Sequence, residues 1–177
     1  SSAASDVYKR QVICIKGGKL NMGYIYTYED KVHPSWIDHN QHLHDAQYFS
    51  IFSDAVVGFF AKMGFSIDYR QKHDTTIFNL EAHITYLKEM LLDETFTVEV
   101  YVYDYDHKRV HFFLKMFNQD QVPTATYEVI MMAIDNQQRR SSAFPDFVFD
   151  NIKTYYEEQG EFETPKQLGH AIGIPRK

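Results

Sequence analysis

Cysteine is nearly missing from this chain of 177 residues: Cys14 stands alone. No internal disulfide can form, which fits a reducing, cytoplasmic setting and leaves the fold to its core. Proline is also scarce, five in all, and no low-complexity stretch interrupts the chain, so a linker-rich or collagen-like organisation is excluded. No apolar run approaches the roughly 20 residues that a membrane-spanning helix needs. VICI at 12–15 is too short for the apolar region of a signal peptide, so no membrane partner is expected. Positive charge is in deficit, with 18 Lys and Arg against 24 Asp and Glu. The net charge of −6 leaves no global basic field for a nucleic acid. A small anionic ligand, by contrast, needs only a few local basic side chains.

What is present is the material of one folded domain: 44% hydrophobic and 16% aromatic residues, in a chain long enough for a single core. The opening SSAASDVYKRQ carries no periodicity, so residues 1–21 read as a disordered or non-native extension. The domain is expected over 22–177, with Met22 as the natural start. Residues 24–32 alternate Tyr24, Tyr26 and Tyr28 against smaller or polar partners, the period-2 signature of a strand. YFSIFSDAVVGFFAKMG at 48–64 predicts a helix that is apolar around most of its circumference, ends at Gly64 and is therefore buried. After a polar loop, strand patterns follow at 77–87, 95–105, 109–118 and 124–135, the last three linked by short turns. DFVFDNIKTYYEEQ at 146–159 has the pattern of a terminal helix. The order implies an α+β fold: a curved five-stranded antiparallel sheet wrapped around one long central helix, with a C-terminal helix added. That architecture is the hotdog fold. Its open sheet edges predict pairing into a homodimer or homotetramer.

The densest polar feature is WIDHNQHLHDAQY at 36–48. Asp38, His42 and His44 are of metal-ligating types, but no further ligand at characteristic spacing accompanies them. Read alone, Asp38 is an Asx-turn or capping residue and Asp45 an N-cap. The chemistry of the placement is specific, however. A carboxylate a few residues ahead of a buried helix stands near unpaired N–H groups and a positive dipole end, the parts needed to attack a carbonyl and hold its oxyanion. Asp54 lies within the apolar helix, where a charge is costly unless paired or functional. Glu81 and His83 alternate with core positions, so their side chains share one face; an interface pair and an acyl-pocket lining are both open readings. Among basic residues Lys88, Lys108, Arg109, Arg139 and Arg140 are candidates for phosphate contacts.

The segment VHPSWIDHNQHLHDAQYFSIFSDA resembles the start of hotdog thioesterases of the 4-hydroxybenzoyl-CoA thioesterase type. Their pattern there is V-x-P-x-W-x-D-x-N-G-H-M-N, followed by the central helix. The likeness continues through LEAHITYLKEMLLDETFTVEVYVYDYDHKRVHFF, TYEVIMMAID, RRSSAFP and GHAIGIPRK, covering essentially residues 24–177. Within the family the chain is most similar to the betainyl-CoA thioesterase branch of carnitine breakdown, on the Tyr-Leu-x-Glu run, Lys108-Arg109-x-His111 and the tail. The resemblance implies hydrolysis of an acyl-CoA without a cofactor or metal, at sites between subunits. It places Asp38 on the catalytic aspartate and the Asp45 backbone N–H on the oxyanion donor. Asn40, His42 and His44 form the surrounding shell. Tyr48, Asp54, Glu81, His83, Arg139 and Arg140 are substrate-side candidates. Gln41 and His44 depart from the family pattern, which has Gly and Asn there. Two alternatives stay open at this stage: an enoyl-CoA hydratase or dehydratase on the same fold, and a non-catalytic acyl-CoA-binding module.

Overall fold

The computed structural model describes residues 11–16, 19–160, 163–174 and 176. Residues 1–10 of the expected extension lie outside the described residues. Strands β1 (Gln11–Lys16) and β2 (Lys19–Tyr24) form an antiparallel hairpin. The main sheet is built from β3 (Tyr26–Lys31), β4 (Thr75–Tyr86), β5 (Thr95–Tyr105), β6 (Arg109–Asn118) and β7 (Pro123–Asp135). Its order is β3-β5-β6-β7-β4, all neighbours antiparallel, and the two-residue β8 (Arg140–Ser141) pairs with β7. The five strands and the β5-β6-β7 meander are those the alternation predicts.

Helix α1 (Asp45–Lys62) buries Tyr48, Ile51, Phe52, Ala55, Val56, Phe59 and Phe60 against the sheet. The opposing face presents Val98, Val100, Phe112, Leu114, Tyr127 and Val129, all buried. Removing a large side chain of this kind from water stabilises by roughly 1.5–3 kcal/mol, so the helix is fixed by packing rather than by propensity. Gly58 is required for the closest approach: a Cβ there would collide with the Tyr26 hydroxyl. Gly64, at φ 87°, ends the helix in the left-handed conformation that glycine adopts freely.

Two elements differ from the sequence expectation. The helix starts at Asp45, one turn ahead of the apolar pattern, because its polar first residues are capped by the side chain of His44. The polar segment after it is not all loop. Ile67–Lys72 forms the short helix α2, capped by Ser66, whose Oγ accepts from the Tyr69 N–H at 3.2 Å.

Helix α3 (Asp146–Glu158) closes the sheet where β3 ends. The Tyr26 N–H donates to the Tyr155 hydroxyl at 2.9 Å, which donates in turn to the Val100 carbonyl. Just beyond, the Gln159 amide takes the place of a strand: its Oε1 accepts from Val102 N–H and its Nε2 donates to Val102 O. Among the described residues no helix is long and apolar enough to cross a membrane.

Candidate active site

The polar segment forms a tight loop that hands the chain to α1. A 3-10 turn at Pro34–Trp36 leads in, and an isolated bridge between Ile37 and Leu43 closes the loop. Asp38 N–H donates to His42 O at 3.0 Å and Gln41 N–H to Asp38 O at 3.1 Å. The closure requires a left-handed residue at its tip, and Gln41 supplies it with φ 66°. Gln41 thus holds, at some steric cost, the conformation a glycine would take freely. The loop is anchored outside itself by Leu43 N–H to Met90 O (2.8 Å) and His44 N–H to Trp36 O (2.9 Å).

Within this loop Asp38 is inward-facing, its side chain only 10% exposed. Its Oδ1 accepts from Asn40 N–H at 2.8 Å and lies 3.6 Å from His42 Nδ1. Burial alone would raise its pKa. The Asn40 and His42 backbone N–H groups and the nearby imidazoles of His42 and His39 outweigh it and hold the carboxyl below its ordinary value. Asp38 is therefore ionised at neutral pH.

His44 is the N-cap of α1. Its Nδ1 is 3.1 Å from Ala46 N–H and 2.8 Å from Asp45 Oδ1. One nitrogen cannot accept from the first and donate to the second at once, so the two contacts belong to different protonation states of the ring. Asp45 Oδ1 also accepts from Ala46 N–H at 2.8 Å, which keeps that donor satisfied in either state. Gln47 N–H donates to His44 O. The Asp45 N–H meets no acceptor among the described residues, and it sits at the positive end of an 18-residue helix.

Asp38 and Asp45 line one cleft of about 590 Å³, with His39, Asn40, His42, His44, Tyr48 and the segment Tyr86–Glu89. The Tyr86 hydroxyl donates to Asp45 O at 3.2 Å, and its ring meets that of Tyr48 edge-on at 5.3 Å. Burial pushes the Tyr48 hydroxyl up to about 12, so it remains a hydrogen-bond donor across the physiological range. Lys88 is the one basic side chain of the lining apart from the histidines.

The structure brings together Asp38, Asn40, His42, His44, Asp45 and Tyr48. Lys88, named from the sequence for phosphate contact, joins them in the cleft lining, whereas Asp54, Glu81, His83, Arg139 and Arg140 do not. Asp54 is exposed on α1. Glu81 and His83 do share a face, but it is the sheet face turned away from α1, in a separate cavity with His111, Glu128 and His170. Arg139 and Arg140 lie at the β7–β8 turn, and the Arg139 guanidinium sits 5.9 Å from the centre of the Phe78 ring. Tyr86 and Glu89 are site residues that the sequence reading did not assign, although the Tyr-Leu-x-Glu run that carries them was singled out. Among the described residues no group of three or more His, Cys, Asp or Glu is placed to hold a metal ion.

The curled antiparallel sheet around a buried helix, with a polar loop feeding that helix, defines a hotdog-fold protein. The profile of the thioesterase-like superfamily matches residues 32–152. The chain belongs to that family, and it is an acyl-CoA thioesterase by class. It is 28% identical over 150 residues to the betainyl-CoA thioesterase of Pseudomonas aeruginosa, covering 84% of this chain and 94% of that one. It is 28% identical over 162 residues to the L-carnitine dehydrogenase/betainyl-CoA thioesterase of Agrobacterium fabrum, 91% of this chain but 33% of that one. Among solved structures, a Staphylococcus aureus hypothetical protein in complex with CoA aligns with TM-score 0.84 and 44% identity, over 86% of this chain and 97% of that one. The DHNA-CoA thioesterase of S. aureus aligns with TM-score 0.70 at 17% identity, over 78% and 97%, a likeness of fold.

Proposed function

We propose that Asp38 and the Asp45 N–H are the two halves of the thioesterase site. The observation that carries this reading is their shared cleft: an ionised, inward-facing carboxylate and an unpaired helix N-terminal donor line the same space. The thioester carbonyl oxygen rests on the Asp45 N–H, where one such donor is worth about 10²–10³ in rate. Asp38 either attacks the carbonyl carbon itself or takes a proton from the attacking water. The C–S bond then breaks. Direct attack leaves an Asp38 anhydride that water hydrolyses, whereas water attack releases the free acid at once. In both, CoA leaves as the thiol with a proton from that water. Asn40 N–H and His42 hold the Asp38 carboxylate in place. His44 fixes the first turn of α1.

For the acyl group, the names of the curated relatives put betainyl-CoA first, and the lining supports it. Tyr86, half exposed and backed edge-on by the buried Tyr48, lines the cleft with the carboxylates of Asp45 and Glu89, a combination suited to a quaternary ammonium. A thiol-release assay with betainyl-CoA against its uncharged tert-butyl isostere tests both levels. Release from betainyl-CoA at clearly higher kcat/KM is the expected result. Equal rates would remove the cation preference, and no release from any acyl-CoA would remove the site assignment.

The edge strand β4 exposes Phe78 and Leu80, with Leu87 just beyond its end, and we take this edge as the contact with a second copy. Sedimentation of the purified protein as a monomer at micromolar concentration would overturn that assembly.

A further inference from the structure

The cleft accounts for the polar loop but not for a second cavity of about 210 Å³ on the β4 side of α1. Its apolar walls come from Phe49, Val56 and Phe60 of α1, Ile77 of β4 and Met131 of β7, and Arg70 of α2 also lines it. Asp45, Phe49, Ser53, Val56 and Phe60 follow one another at steps of three or four residues, so they form one stripe along the helix. From Asp45 to Ser53 that stripe covers about 12 Å of axis at 1.5 Å per residue. The stripe therefore runs from Asp45 of the cleft lining to Phe49 and Ser53 of the second cavity, the direction for an acyl chain whose carbonyl rests on the Asp45 N–H. A betainyl group is too short to leave the cleft.

Arg70 gives this cavity its character. The side chain is half-buried, its Nε donates to Ser66 O at 3.4 Å, and its guanidinium carbon stands 6.0 Å from the centre of the Phe65 ring. No Asp or Glu among the described residues pairs with it. Loss of solvent around it, with no compensating carboxylate, lowers its pKa. The two terminal guanidinium nitrogens carry N–H groups that meet no acceptor among the described residues. Asn79, on the facing strand, lines the same cavity and donates its Nδ2 to Tyr127 Oη at 3.0 Å. No buried side-chain nitrogen or oxygen among the described residues lacks a partner, so these N–H groups reach solvent and are available to an entering anion. A carboxylate is the group that matches its planar donor fork.

We propose that this cavity is an acyl-chain subsite in which Arg70 reads a carboxylate at the far end of the chain, making ω-carboxyacyl-CoA thioesters a further substrate class. The proposal rests on the placement of the thioester carbonyl at the Asp45 N–H. Its test uses ligands that cannot be hydrolysed: S-(ω-carboxyalkyl)-CoA thioethers of increasing length, each paired with the S-alkyl-CoA that ends in a methyl group. Both members are titrated calorimetrically into the wild type, Arg70→Met and Arg70→Lys. At the length that spans the stripe, the wild type is expected to bind the carboxylate-ended member about tenfold tighter or better. Arg70→Met loses that preference, and Arg70→Lys keeps part of it. Equal affinity for the two members in the wild type, or a preference that survives in Arg70→Met, overturns the proposal. Should Arg70→Met fail to fold, Arg70→Gln gives the same readout. Because these thioethers bind without reacting, failure of every thioester to release thiol would count against the catalytic site alone.

Discussion

Two clusters of histidine and carboxylate lie on opposite faces of the sheet, and they differ in what they leave unused. On the outer face, both oxygens of Glu128 are engaged: Oε1 lies 2.8 Å from His111 Nε2, and Oε2 accepts from the Gly169 N–H at 2.7 Å. That cluster ties the C-terminal segment down onto β6 and β7. In the cleft, the fixed groups point at space instead. Asp38 is oriented by backbone N–H groups and ionised, and the Asp45 N–H beside it is unpaired among the described residues. A dense set of titratable side chains therefore does not identify a reactive site. Hydrogen-bonding capacity that the fold orients and then leaves open is what sets the cleft apart as the candidate.

The largest expected effect breaks this contrast on the cleft side. Asp38→Asn keeps the size and most hydrogen bonds of the side chain but removes its basicity. It should lower kcat/KM by at least about 10³, within the range for a lost acid–base or nucleophilic group. Near-normal turnover in a folded Asp38→Asn protein would transfer the role elsewhere. The same carboxylate sets the pH dependence. Its folded pKa is depressed, so its contribution is present above the unfolded value and lost as pH falls through the folded one. The acid limb of kcat/KM should accordingly lie below 3.8. A limb well above the carboxylate range would transfer the role to another group.

A smaller effect tests how the loop is held. Gln41 occupies φ 66°, a region closed to β-branched side chains. Gln41→Val should destabilise by about 1–3 kcal/mol and lower turnover as Asp38 loses its backbone partners, whereas Gln41→Gly should preserve both. Equal behaviour of the two variants in thermal melts and kinetics would show that the tip conformation is unimportant. The smallest effect belongs to the outer face. Glu128→Gln should cost about 1 kcal/mol of stability, the scale of a weakened hydrogen bond, and leave kcat/KM unchanged. A large loss of rate in that variant would join the two clusters that the sheet separates.

Much of the fold was readable from the residues alone, for a physical reason. Strands β5, β6 and β7 place an apolar side chain at every second position in the sequence, although both faces of their central stretches are covered, and α1 is too apolar to be anything but central. The short α2 was not readable. IDYRQK has no buried residue, so no hydrophobic period marks it. The β-bulge between Asn79 and Glu81 was equally silent. It leaves Leu80 unpaired and puts Asn79 opposite Met131 but Glu81 opposite Ile130. Strict alternation would place Asn79, Glu81 and His83 together, whereas the bulge sends the last two to the outer face. The loop 36–44 was legible as chemistry because its residue types are unusual together. The contribution of Tyr86–Glu89 was not, because it enters the cleft from a strand end some forty residues away. Only tertiary structure joins the two.

The helix that fills the core is also the one whose first residue, Asp45, lines the cleft, so α1 works as a shaft with one end in each place. Turning it by a single residue would rotate every side chain by about 100°, swinging Phe52 and Phe59 out of the sheet and the Asp45–Phe49–Ser53 stripe away from β4. The aromatic contacts that forbid this rotation, Phe52 on Tyr127 at 5.1 Å and Phe59 on Phe112 at 5.1 Å, thereby act as an indexing mechanism for the site. Substitutions in the core that leave the protein stable can still mistime it, by setting the shaft a few degrees off.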